Sequence, residues 1–92
     1  MIWTINIKRR VAKQLVLLPL DVRQAFMTLM ASLELNGAYQ PNWSHFGKLS
    51  EKRFHCHIKK GHPTYVVIWE VIDKHNKIIE VQYAGTHEKA PY

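Results

Sequence analysis

The run YVVIWEVI at positions 65–72 is apolar except for Glu70 and the phenol of Tyr65. Without alternation of polar and apolar side chains, a stretch of this length reads as a central strand buried on both faces. Such a strand needs a neighbour along each edge and cover over each face. The neighbours are visible. Phe54, Cys56 and Ile58 alternate with His55, His57 and Lys59, and Ile79, Val81 and Tyr83 alternate with Glu80 and Gln82. That period of two marks strands. Gly61-His62-Pro63 and the stretch 73–76 supply turn residues between them. A fourth strand is expected at 2–7, where Trp3, Ile5 and Ile7 alternate with Thr4 and Asn6.

Between the first strand and the meander the spacing becomes helical. Val11, Leu15 and Leu18 lie at i, i+4 and i+7 of a predicted helix over 8–18, which Pro19 stops. Val22, Phe26, Leu29, Met30 and Leu33 make the apolar stripe of a second helix, ended by Asn36-Gly37. Positions 37–50 carry Gly37, Pro41, Asn42 and Gly47 and read as a loop. The order β-α-α-β-β-β predicts an α+β fold: a small twisted, mainly antiparallel sheet with a two-helix hairpin packed on one face. The other face is expected to be open. At 92 residues, the chain 1–92 is expected to form one domain.

Thirteen Lys and Arg against seven Asp and Glu give a net charge of +6 with histidines neutral. That balance points to an acidic partner, whether nucleic acid, anionic membrane or acidic protein. The single cysteine, Cys56, fits a reducing compartment. The first ten residues are too short and too polar for a secretory segment, and no apolar stretch approaches a membrane span. A soluble, cytoplasmic protein without membrane partners is expected.

Strand alternation turns His55, His57 and Lys59 to one side and Phe54, Cys56 and Ile58 to the helices. Three cationic groups in a row, about 7 Å apart by twice the strand rise, can hold phosphate. A histidine titrating near neutral pH also moves protons. An ordinary solvated strand face is the plain alternative. After the last strand comes Gly85-Thr86-His87-Glu88-Lys89. If its strand lies beside the one carrying His57, the two imidazoles flank one substrate as acid and base. Metal-free RNA cleavage needs such a pair, plus cations for the phosphate. Tyr39, Trp43 and Phe46, interleaved with His45 and Lys48, suit base stacking, although covering the core is the commoner use of loop aromatics. Lys8, Arg9, Arg10 and Lys13 crowd a helix start, against the macrodipole. Zinc at His55, His57, His62 and Cys56 is disfavoured, because Cys56 points away and no spaced cysteine pair exists. No metal and no cofactor are expected, and a core-facing Cys56 is a poor nucleophile.

Four stretches together carry a resemblance: WTINIKRRVAKQL with LP and VR following, GKLSEKRFHCHIKK, TYVVIWEVI, and IIEVQYAGTHEKAPY. In this order and spacing the chain resembles the RelE/ParE toxin superfamily of bacterial toxin–antitoxin systems, and most of all its RelE-type mRNA endonucleases. The resemblance implies a single RelE-like toxin domain that cleaves mRNA on the ribosome without metal and leaves a cyclic phosphate. It implies an acidic antitoxin as partner. It also implies catalytic roles for His57, His87 and Lys59, with RNA-binding roles for Lys48, Arg53, His55, Lys60 and Tyr92. Many members carry an arginine early in the third strand, where this chain has Val66. That role would pass to Arg53, Lys59 or Lys60. Two other functions stay open: a non-catalytic ParE-like gyrase inhibitor, and an inactive basic domain that binds RNA or antitoxin.

Overall fold

A computed structural model describes residues 2–92. In chain order the elements are β1 (Thr4–Ile7), α1 (Arg9–Leu15), α2 (Leu20–Asn36), β2 (Ser44–Lys48), β3 (Arg53–Lys59), β4 (Tyr65–Asp73) and β5 (Ile78–Thr86), followed by a 3₁₀ turn at His87–Lys89. They make one five-stranded sheet in the order β1-β5-β4-β3-β2. Only the β1–β5 pairing is parallel. The apolar run is the central strand, and Val66, Val67, Ile68 and Trp69 within it are fully buried.

The core lies between the sheet and the helices. Phe54 and Cys56 of β3, Val67 and Trp69 of β4, and Ile79, Val81 and Ala84 of β5 meet Val11 of α1 and Phe26, Leu29, Met30 and Leu33 of α2. Each large side chain fully buried here contributes about 1.5–3 kcal/mol relative to exposure. The predicted stripe of α2 is therefore the buried face. The helix ends at Gly37, which has φ +83° and donates its N–H to Leu33 O at 2.9 Å. A Cβ at Gly37 would sit 2.8 Å from Trp3 Nε1, so glycine serves both the turn and the indole packed on it.

Three expectations change. First, α1 stops at Leu15, three residues before the predicted end. Leu17 and Leu18 donate to Gln14 O and Leu15 O, short bonds of a tightening turn. Pro19 accounts for this, since it disfavours helical geometry in the residue before it. Second, part of the predicted loop is strand β2. It pairs antiparallel with β3 through Ser44↔His57, Gly47↔His55 and Lys48↔Phe54, with a register shift between Ser44 and Gly47. That bulge, with His45 at φ +54°, erases the alternation that marks a strand. Third, the face away from the helices is not fully open. Val66 and Ile68 are buried on it, paired across β3 and β5 with His57, His55, Gly85 and Tyr83.

The tail after β5 lies beside this same face. His87 N–H donates to Thr64 O at 2.8 Å, and the Tyr92 ring meets His55 edge-on at 5.5 Å. No helix among the described residues is long and apolar enough to cross a membrane.

Candidate active site

Alternation along β3 puts His55 and His57 on the face away from the helices, above Ile68 and Val66. His87 arrives from the other side. β5 is not adjacent to β3, as the acid–base expectation had assumed; β4 runs between them. The register His57↔Val66↔Gly85 nevertheless spans the sheet in one row, and His87 follows Gly85 by two residues. The His57 and His87 rings end with centroids 5.4 Å apart at 74°. Val66 is short and buried, so the two imidazoles close over it. Both rings line one cleft of about 250 Å³, bounded also by His62, Thr64 and Glu88.

Gly85 is what lets this row close. Tyr83 donates its hydroxyl to Thr86 O at 2.7 Å, folding its ring back over the glycine. A Cβ on Gly85 would stand 2.8 Å from that hydroxyl oxygen. The glycine of the Gly-Thr-His run thus shapes the strand end that carries His87.

The structure adds a fourth imidazole to His55, His57 and His87. His45 of β2 stacks on His57 with centroids 4.2 Å apart and planes 18° from parallel. Ser44 Oγ lies 3.0 Å from its Nδ1. The sequence named His45 only among loop aromatics, because the strand that aims it was not visible. Its companions Trp43 and Phe46 do cover the core, Phe46 stacking on Phe54 at 5.8 Å and on Trp69 at 6.2 Å, whereas Tyr39 stays exposed and meets Phe46 edge-on at 5.3 Å.

Electrostatics follow from the crowding. Burial, then His45, His87, His55 and Lys60, hold His57 below the usual histidine range. Burial, then His87 and His45, do the same to His55. The Nδ1 of His55 is buried with no hydrogen-bond partner. Tyr92 borders both His55 and His87, with its ring 5.7 Å from the latter.

The remaining predicted residues separate. Lys59 does not continue the histidine row. A register shift between His57 and Lys59 turns it toward the helix layer, where its ammonium pairs with Asp21 at the start of α2. Lys48 pairs in register with Phe54 and lies over that ring, on the helix-facing side. Arg53 shares the histidine face but stands four residues from His57, about 13 Å by strand rise. Its Nε donates to Gln82 Oε1 at 3.1 Å. Lys60, exposed just after β3, is the cation beside His57. Cys56 faces the core, and burial pushes its thiol up to about 12, which removes it as a nucleophile. Among the described residues no three His, Cys, Asp or Glu side chains are grouped to hold a metal.

With this geometry in hand, the fold can be compared. No family model matches the chain. No curated protein matches it in sequence. Solved structures do. A chain of the archaeal RelE–RelB complex from Pyrococcus horikoshii OT3 matches with TM-score 0.75 and 18% identity, over 98% of this chain and all of that one. A double arginine-to-alanine mutant of E. coli toxin RelE in the free state matches with TM-score 0.73 and 16% identity, over 98% of this chain and 88% of that one. The chain has the RelE toxin fold: α+β, two helices on one face of a mainly antiparallel sheet.

Proposed function

We propose that this chain is the toxin of a bacterial toxin–antitoxin pair, a ribonuclease that cuts mRNA on the ribosome in the cytoplasm and so stops translation. The pair His57 and His87, with centroids 5.4 Å apart on the wall of one cleft, carries this reading. RNA transesterification needs two proton transfers. A base takes the 2′-hydroxyl proton as that oxygen attacks the adjacent phosphorus. An acid protonates the 5′ oxygen as its bond to phosphorus breaks, leaving a 2′,3′-cyclic phosphate and a free 5′-hydroxyl.

His57 suits the base, since burial and the crowding of His45, His87, His55 and Lys60 favour its neutral form. His87, exposed at the start of the tail, suits the acid. Lys60 takes the phosphate-holding role proposed for the strand lysines, while Lys59 is engaged by Asp21. His55 and Tyr92 form the wall against which a base is oriented. Arg53, farther out on the histidine face, extends the basic surface along the RNA, whereas Lys48, over the Phe54 ring on the opposite face, takes no part in it. The scheme uses no metal and no cofactor. The likeness to a protein solved as a RelE–RelB complex supports an antitoxin partner, acidic to match the +6 charge. The proton-transfer pair favours this function over gyrase inhibition, which has no need of one.

Primer extension on translated messages after induction tests the reading. Cuts within translated codons, absent with His87→Ala, are expected. Uncut messages with trapped DNA breaks would select the gyrase function instead.

A further inference from the structure

The bulge in β2 does something that the pairing of the strand does not require. Ser44 pairs with His57 and Gly47 with His55, so two residues of β2, His45 and Phe46, stand opposite the single residue Cys56 of β3. In an unbroken ladder the one residue opposite Cys56 would share its helix-facing side. Phe46 takes that place, stacked on Phe54 and Trp69. His45 is the inserted residue, and it turns to the other face, onto His57.

The backbone of His45 points the same way. Its φ is +54°, and among the described residues the one other non-glycine with positive φ is Lys77, in the turn before β5. Left-handed backbone at a bulge favours glycine. A side chain held there costs stability and marks a position kept for another reason. The core is not that reason, because His45 is exposed and lies outside the buried cluster. Its ring lies on His57 instead, with centroids 4.2 Å apart and planes 18° from parallel. Ser44 Oγ, 3.0 Å from its Nδ1, fixes it in that pose.

An imidazole that takes a proton must present one nitrogen in a fixed direction. In most catalytic histidines a hydrogen bond to the other nitrogen sets that direction. His57 has no such anchor among the described residues. Neither ion pair involves it, and the one side-chain hydrogen bond of a histidine ring is that of His45 with Ser44. A flat neighbour does the same work by a different route. It restricts the plane of the ring and leaves both nitrogens, which lie in that plane, free for substrate.

We propose that His45 is a positioning residue for His57: the strained bulge of β2 is kept to lay one imidazole flat on the other, and so to aim the nitrogen that takes the 2′-hydroxyl proton. The role rests on the ribonuclease reading and adds to it a residue that does not line the cleft and acts only through His57.

The test compares the full chain with His45→Gly, His45→Asn and His45→Phe. Glycine and asparagine accept the positive φ and carry no ring; phenylalanine keeps a flat ring and the strain. Thermal unfolding, the His57 ring-proton signals by NMR, and cleavage of a ribosome-bound message are measured for each. Cleavage is read at pH 7.5, above the ordinary 6.5 of histidine, so that His57 is neutral in every chain. For the glycine and asparagine chains, Tm is expected to equal the parent value or exceed it by up to about 5 °C. Their His57 signals should move as the ring current of His45 is lost, and kcat should fall about tenfold or more with KM unchanged. His45→Phe should bring back the ring-current shift and a kcat within about threefold of the parent, with no gain in Tm. A protein that gains stability and loses turnover together is the signature of a residue held for function.

A His45→Gly chain that cuts as fast as the parent, a loss confined to KM, unmoved His57 signals, or a His45→Phe chain as slow as the glycine chain would each overturn the role and leave the ribonuclease reading standing. A Tm lowered in both the glycine and the asparagine chains would overturn it too, by showing that the bulge residue serves the fold. A parent chain that leaves the message uncut would bring down the ribonuclease reading, and the role with it.

Discussion

Gly85→Ala is the substitution whose cost can be worked most directly from the structure. The new methyl would lie 2.8 Å from Tyr83 Oη and 3.0 Å from its Cζ, closer than side-chain carbons approach. The Tyr83 ring must then swing out, and its 2.7 Å bond to Thr86 O is lost. A neutral hydrogen bond contributes about 1 kcal/mol net. Residual crowding in a packed site adds roughly 1–2 kcal/mol. The sum is about 2–3 kcal/mol, a large share of the roughly 5–14 kcal/mol available to a chain of this length. At about 4–8 °C per kcal/mol for a domain this size, Tm falls by roughly 10–20 °C. Thermal unfolding by circular dichroism measures it. A second arm gives the argument its edge: Tyr83→Phe removes the clashing oxygen, so the double mutant should be more stable than the two single losses add up to. Its Cζ still crowds the methyl, so recovery is partial. A Gly85→Ala protein within 0.5 kcal/mol of the parent, or strict additivity with Tyr83→Phe, would refute the close-approach explanation.

Other outcomes follow from the site. His45→Ala removes the imidazole stacked on His57 that helps to hold its titration down, so the His57 titration, read from its ring protons by NMR, moves upward; the acidic limb of the cleavage profile moves to higher pH with it, and an unmoved titration contradicts the coupling. His55 and His57 both sit below their ordinary 6.5 in the folded state, so between their folded values and 6.5 the unfolded chain binds more protons. Stability is therefore fully present above pH 6.5 and is lost as pH falls through the folded values; the loss should shrink in His55→Gln/His57→Gln, and an unchanged pH–Tm curve would exclude these histidines as its source. Lys60→Ala should lower RNA cleavage by tenfold or more, and Lys59→Ala by less than threefold, because Lys59 is held by Asp21; a reversed order would show that Lys59 leaves Asp21 and enters the cleft.

Much of the fold was legible because burial writes itself as periodicity. YVVIWEVI reads as a strand covered on both faces, and the five apolar residues of α2 face the core as spaced. The facing of His55 and His57 followed from simple alternation. What escaped detection at the site itself shares one cause, irregular register. β2 contains a shift and a positive-φ histidine, so its five residues carry no period, and His45 could not be aimed without the strand. One further shift after His57 sends Lys59 to the helix layer, which the unbroken count could not foresee. The meeting of His57 with His87 depends on a small residue at position 66 of the intervening strand, a contact between segments thirty residues apart. A long side chain in that place would reach into the space the rings occupy; Val66 leaves it to the imidazoles.

The central claim is that His57 and His87 exchange protons with RNA bound in the cleft they both line. It is tested most directly by the chemistry of the cut ends, analysed by mass spectrometry of a ribosome-bound message treated with the purified protein. Predicted are 2′,3′-cyclic phosphate and 5′-hydroxyl ends, formed at least a hundredfold more slowly by folded His57→Ala and His87→Ala chains. Ends carrying a 5′-phosphate, or cleavage undiminished in both variants, would contradict it.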